Sequence, residues 1–279
     1  MDQREWVRYR RSADVSLEAM HAHLERHSYH VHSHDAYSFG LTEFGAQDFK
    51  CRGESRRSSA GMVMAFNPDD PHDGHAADDS GFTYRIVHIA PSVVADVLDQ
   101  STGDSSLPLF TTPVIQDRGL FTALHRLHRR LMGGHDQGLS GDEALLGAIH
   151  SMARTASHAP RAARPVPDAA RLAARATSLI RDRWNEPITP ADLSGTLGRS
   201  RFAIYRAFQL AHGMAPSDYQ RQLRLRAARR QLVEGTPIAT VALSCGFADQ
   251  SHLTRWFTRY YGVPPGLFVT ATDGRPVRA

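Results

Sequence analysis

The stretch Thr189-Pro-Ala-Asp-Leu-Ser-Gly-Thr-Leu-Gly-Arg-Ser-Arg-Phe-Ala-Ile-Tyr-Arg-Ala-Phe208 decides the fold of the C-terminal part of the chain. Thr189 offers a side-chain oxygen to the unbonded amides of a helix start, and Pro190 fits the first helical position, where no amide is needed. Leu193 and Leu197 share one face, Gly198 can take the left-handed turn that ends the helix, and Ser200 caps the next one. Ile204 and Phe208, again four apart, form the buried face of that second helix. Two short helices about a glycine turn make a helix-turn-helix unit. A second copy runs from Pro237 to Phe257, with Val241, Cys245 and Gly246 in the places of Leu193, Leu197 and Gly198. Leu253 and Phe257 then match Ile204 and Phe208. The offset is 48 residues at Val241 and 49 at Leu253, so the second turn is one residue longer. Between the copies, Pro216 to Val233 reads as one long helix with Tyr219, Leu223, Leu225, Ala228 and Leu232 apolar. Such a helix holds two reading helices at a fixed separation, and two helices on one face of B-DNA enter successive major grooves about 34 Å apart.

The charge is divided in the same way. Residues 168–279 hold 16 Arg against 8 Asp plus Glu, a balance of +8. Residues 1–167 hold the remaining 17 basic and 21 acidic residues, a balance of −4, and the two parts sum to the net +4 of the 279-residue chain. A basic part and a slightly acidic part are expected to meet different partners. No window approaches 18 apolar residues, so no membrane-crossing helix is expected. The start, Met1 to Trp6, has acidic residues where a signal peptide needs a basic run, which points to the cytoplasm. Cys51 and Cys245 lie too far apart and are too few for a disulfide framework.

His158 to Pro167 carries three prolines among small and basic residues and reads as an extended linker. Ahead of it, residues 1–117 read as a β-rich domain. Met20, Ala22 and Leu24 alternate with His21, His23 and Glu25, and Tyr37, Phe39 and Leu41 alternate with Ser38, Gly40 and Thr42. Residues 61–66 and 82–89 read as further strands, with Asn67-Pro-Asp-Asp-Pro71 as a turn. Residues 118–157 turn helical. Leu120, Leu124, Leu127 and Leu131 form one narrow stripe; Leu145, Leu146, Ile149, Met152 and Ala153 form another. Gly133, Gly134 and Gly138 lie between them. The leucine stripe either packs on the β domain or pairs with its mate in a dimer. Arg126, His128, Arg129 and Arg130 read as a solvated face.

Residues 170–270 resemble the AraC/XylS family of bacterial transcription regulators. The match is carried by Ile188-Thr-Pro-Ala-Asp-Leu193, Gly213-Met-Ala-Pro-Ser-Asp-Tyr219, Arg224-Leu-Arg-Ala-Ala-Arg229, Pro237-Ile-Ala-Thr-Val-Ala242, Gly246-Phe-Ala-Asp-Gln-Ser-His-Leu253 and the ending Phe257 to Pro265. The resemblance implies a two-domain chain: an all-β cupin-like barrel with trailing helices, then an all-α DNA-binding domain (168–279) with two helix-turn-helix units. It implies a transcription regulator, not an enzyme, most often an activator working with RNA polymerase as a homodimer. Its partners are double-stranded promoter DNA and a small-molecule effector.

The resemblance places DNA readers at Arg201, Phe202, Tyr205 and Arg206 in the first unit. In the second it places them at Gln250, Ser251, His252, Thr254 and Arg255. Arg pairs bidentately with guanine and Gln with adenine, whereas Phe202 offers apolar contact to a thymine methyl. Arg259 and the run Arg221, Arg224, Arg226, Arg229 and Arg230 read as DNA-backbone contacts or solvated faces. Phe247, Trp256 and Phe257 read as core.

His34-Asp-Ala-Tyr-Ser-Phe-Gly and Gly61 to His72 resemble the two cupin segments of such regulators. An effector site is expected at His34, Tyr37, Phe39, Met64, Phe66, His72 and Tyr84. Cupins that bind metal group two histidines, a glutamate and a third histidine, which here would be His32, His34, Glu43 and His72. Glu43 sits later than that pattern expects, and such sensor domains have generally lost metal, so no cofactor is expected.

Overall fold

The structure is a computed structural model that describes residues 5–12, 16–133, 139–156, 168–270 and 277–278. The proline-rich linker and the glycines at 134 and 138 lie outside the described residues. The chain forms two compact units, one of 1–29, 33–159 and 267–279, the other of 30–32 and 160–266.

The strands are β1 (Trp6–Arg11), β2 (Leu17–Leu24), β3 (Tyr29–His32), β4 (Tyr37–Cys51), β5 (Glu54–Ser59), β6 (Val63–Phe66), β7 (His72–Ala76), β8 (Phe82–Ile89), β9 (Val114–Ile115) and β10 (Val277–Arg278). The antiparallel order is β10-β1-β2-β8-β4-β6-β9. The long β4 spends its first half against β6 and β8 and its second half against β5 and β7. A bulge between Thr42 and Phe44 separates the halves. Gly45 follows at φ 68°, and a Cβ there would stand 2.1 Å from the Gly81 carbonyl oxygen, so the bend needs glycine.

Strand register assigns side chains to faces. Phe39 lies opposite Ala65 and Val87, whereas Ser38 lies opposite Phe66 and His88. Tyr37, Phe39, Leu41, Val63, Ala65, Val87 and Ile89 therefore share the outer face. They join one apolar core with α1 (Pro91–Thr102), α2 (Arg118–Gly133) and α3 (Leu139–Thr155). Leu120, Leu124 and Leu127 are buried in this core, so the leucine stripe packs on its own sheet. His128 is not solvated as expected. It is fully buried, with Nε2 3.0 Å from the Met20 carbonyl oxygen and Nδ1 3.2 Å from Arg85.

The helical unit is built from α4 (Asp168–Asp182), α5 (Pro190–Leu197), α6 (Arg201–His212), α7 (Pro216–Val233), α8 (Ile238–Ser244) and α9 (Gln250–Tyr261); α10 (Pro265–Thr270) closes the series. The stops read from the sequence are present. The Thr189 side chain accepts from the Asp192 amide while Asp192 accepts from the Thr189 amide, a reciprocal capping box. Gly198 ends α5 at φ 61°, and Ser200 caps α6 by accepting from the Ala203 amide. Leu193, Leu197, Ile204 and Phe208 meet Ala176, Ile180, Met214 and Tyr219 in one core.

Candidate functional site

Packing fixes which faces of α6 and α9 stay free. In α6, Ile204, Ala207 and Phe208 point inward, which turns Arg201, Phe202, Tyr205 and Arg206 outward; Phe202 is 72% exposed. The Gln209 amide donates to the Tyr205 hydroxyl at 3.0 Å and steadies that ring. In α9, Leu253, Phe257 and Tyr260 are buried, leaving Gln250, Ser251 and Arg255 exposed and His252, Thr254 half-buried. Asp249 caps α9 by accepting from the His252 amide at 2.7 Å. The His252 Nδ1 accepts from the Ala248 amide at 3.3 Å, so its Nε2–H faces away as a donor. Each helix thus presents donors, acceptors and cationic side chains, Arg201 and Arg206 on α6 and Arg255 and Arg259 on α9, the chemistry that base edges and phosphates require.

The connector α7 corrects the sequence reading of its arginines. Arg224 is a clamp inside the unit, not a solvated or DNA-facing group. Its Nε donates to the Trp184 carbonyl at 3.0 Å and its two terminal nitrogens to those of Gly246 (2.6 Å) and Glu186 (2.7 Å). Three carbonyls, two before the first helix-turn-helix and one in the turn of the second, converge on one guanidinium. Arg221 stacks 3.7 Å over the Trp256 ring, with Arg259 5.4 Å from the same ring. Trp256 is therefore a half-buried platform between two cations, not a core residue, whereas Phe247 and Phe257 are core. Arg229 lies 5.0 Å over Tyr261, and burial lowers its pKa. Arg230 remains exposed. The Arg259 Nε meets His30.

In the sheet unit, the register divides the expected effector residues. Met64, Phe66 and Tyr84 lie on the inner face, with His34 and His72 beside them. Tyr37 and Phe39 lie on the outer face in the helix-covered core, and the Tyr37 hydroxyl donates to the Pro108 carbonyl at 2.7 Å. They are removed from the effector set because neighbouring positions on a strand face opposite ways. The same parity supplies residues not picked out for this site from the sequence: Ser38, Thr42 and His88, which pair with Phe66, Tyr84 and Ser38 across the sheet. The His34 ring is 4.5 Å from that of His88 and 5.3 Å from that of His72, which stacks at 3.8 Å on Phe66. Ser38 Oγ lies 2.8 Å from His88 Nδ1, and the Tyr29 and Tyr84 hydroxyls are 2.8 Å apart. Glu18 is buried beside this cluster, opposite His88, and receives the Tyr9 hydroxyl. Burial, reinforced by Asp35, pushes its pKa up to about 8, so at neutral pH it is mainly protonated and can donate.

Of the four residues expected about a metal, Glu43 does not join the histidines. Nitrogens of His34 and His72 lie within 4.8 Å of each other. Glu43, however, is held on the outer face by Arg85 Nε at 2.5 Å and His21 Nε2 at 2.9 Å, with His125 at 3.5 Å. Burial works to raise the Glu43 pKa, but Arg85 and His21 hold it below the ordinary carboxylate range. His32 has its Nδ1 2.7 Å from the His30 carbonyl oxygen.

Residues 14–154 match the AraC-like ligand binding domain, and residues 193–271 match a helix-turn-helix domain. The chain belongs to the AraC family of transcription regulators. The HTH-type transcriptional regulator YbfI of Bacillus subtilis is 27% identical over 222 residues, 80% of each chain. A putative AraC-like transcription regulator of Streptomyces lividans is 38% identical over 79 residues, 28% of this chain and 26% of that one. Such relatives are regulators, not enzymes. The fold is shared with ToxT of Vibrio cholerae. Its structure with bound unsaturated fatty acid superposes with a TM-score of 0.56 over 98% of both chains at 13% identity. No helix among the described residues is long and apolar enough to cross a membrane.

Proposed function

We propose that this AraC-family regulator reads promoter DNA with α6 and α9 and binds a small organic effector on the inner face of its sheet unit. The observation that carries the DNA reading is the paired exposure of two chemically different helix faces, each fixed by an apolar face on its other side. Arg255 is exposed on α9 and Arg259 sits one turn further on. Arg255→Ala is expected to relax preference at one or two base pairs, at about 1–3 kcal/mol of discrimination. Arg259→Ala is expected to weaken binding to all sequences alike. Competition binding against a library of promoter variants separates the two outcomes, and equal loss of specificity from both would sink this assignment.

The effector reading is supported by the mixed lining of the inner face. His34, His72, His88 and protonated Glu18 can hydrogen-bond a polar head, and Met64, Phe66 and Ile86 can cover an apolar body. A ToxT structure with bound unsaturated fatty acid supports an organic acid as the first class to try. The effector would act through its differential affinity for DNA-competent and DNA-incompetent states. Thermal-shift titration with oleate and shorter carboxylates tests this: stabilisation lost in His88→Ala is expected, and stabilisation unchanged in that variant would refute the site. Activation, RNA polymerase as partner and homodimerisation rest on the family resemblance. Sedimentation of the purified chain tests the dimer.

A further inference from the structure

Beside α6 lies a groove of about 700 Å³, walled on its other side by α4. Arg171 and Arg175, one turn apart on α4, line one wall; Arg199 in the α5–α6 turn and Arg206 on α6 line the other. Phe202 and Leu210, each 72% exposed, complete it, so Phe202, Arg206 and Leu210 form a stripe along α6 at four-residue spacing. Four guanidiniums share this groove with one carboxylate, Asp168, which is ion-paired to Arg171. Arg175, Arg199 and Arg206 have no ion-pair partner among the described residues. Three uncompensated cations around one concavity repel each other unless an anion enters, and the exposed Phe and Leu require that it also carry apolar surface.

We propose that the groove between α4 and α6 holds a DNA sugar–phosphate strand, with Arg171, Arg175 and Arg199 as positioning residues beside the readers of α6. Phosphate oxygens take the guanidiniums of Arg171, Arg175 and Arg199, and the carbon faces of deoxyribose cover Leu210, which leaves Phe202 and Arg206 at the groove's edge to the bases. A strand in this place lies against the outward face of α6, so seating it sets how that helix enters the major groove. Asp168 opposes the strand and holds Arg171 back from it. The inference rests on the DNA-binding reading and extends the contact surface to a helix outside both helix-turn-helix pairs.

The test uses the full chain and a mixed-sequence 30-base-pair duplex, because a phosphate contact is blind to sequence. Each phosphate neutralised adds about 0.9 to the log–log slope of affinity against salt. Arg175→Ala and Arg199→Ala are each expected to lower that slope by about 0.9. That amounts to a roughly 3-fold smaller loss of affinity between 50 and 200 mM salt. Arg175→Lys, which keeps the charge, is expected to retain the slope, and Arg56→Ala, a charge change in the sheet unit, is expected to leave it as it was. Asp168→Asn is expected to tighten binding on every duplex. It alters one exposed side chain, so it keeps the proposal testable should an arginine variant fail to fold. Unchanged slopes in both alanine variants would overturn the proposal, and an acidic protein segment as the true occupant would give that result. Absence of any duplex binding by the unaltered chain would instead overturn the DNA-binding reading itself.

Discussion

Glu18 was not picked out from the sequence, where it stands two positions before Met20, the first residue of the apolar–polar alternation. The register with β8 puts it inside, opposite His88, and there its proton becomes part of the fold. Unfolded, the carboxyl titrates near 4.5; folded, near 8. Between these values the folded chain holds a proton that the unfolded chain has released, so stability falls as pH rises through that window and is level above it. Glu18→Gln is expected to flatten this part of the profile, measured as urea midpoints from pH 4.5 to 8. His128 runs the other way. Burial, with Arg85 nearby, lowers its pKa to about 3 from an ordinary 6.5. The unfolded chain then binds a proton first as pH falls below 6.5, and the associated stability is lost toward pH 3. His128→Asn is expected to remove that acid-side loss, and an unaltered acid limb would contradict the assignment. For His128 polarity was read as exposure, and Glu18 carried no signal of its own, because which polar groups a sheet and its covering helix enclose depends on register.

At the scale of elements, the helical unit was legible because its signals are local. Thr189, Pro190, Asp192, Gly198 and Ser200 each act within one turn of chain, and the structure places them in the roles their chemistry dictates. Thr189→Ala is expected to cost about 1 kcal/mol, read from the urea midpoint. The Arg224 clamp was not legible, since its partners are main-chain carbonyls 22 to 40 residues away and no side-chain pattern announces them. Arg224→Met, which keeps the stem and removes the donors, is expected to cost about 3 kcal/mol by stranding three carbonyls. It should also weaken tandem-site binding more than half-site binding, as gel-shift titration with both DNAs would reveal. In the sheet unit, alternation identified strands but not which face was inner. That is why Tyr37 and Phe39 were grouped with Met64 and Phe66.

For the whole molecule, the division of charge and the division of cores agree. The buried residues of the apolar cluster, among them Ala176, Ile180, Leu193, Ile204, Phe208 and Tyr219, all come from the C-terminal part of the chain, with Val31 of β3 packed against them. Residues 168–279 made alone are therefore expected to melt cooperatively by circular dichroism and to bind a duplex weakly as a monomer. A non-cooperative melt would show that the fragment needs the rest of the chain. The sequence places the boundary of that part at the proline run, which its composition marks, while the inner face of the sheet unit depends on pairings spread over seventy residues. The Arg224 grip has one more consequence. It holds main-chain oxygens, which every residue type supplies in the same place. The letters displayed on α6 and α9 can therefore be rewritten, by drift or by an engineer, while the spacing between the two words is inherited unchanged.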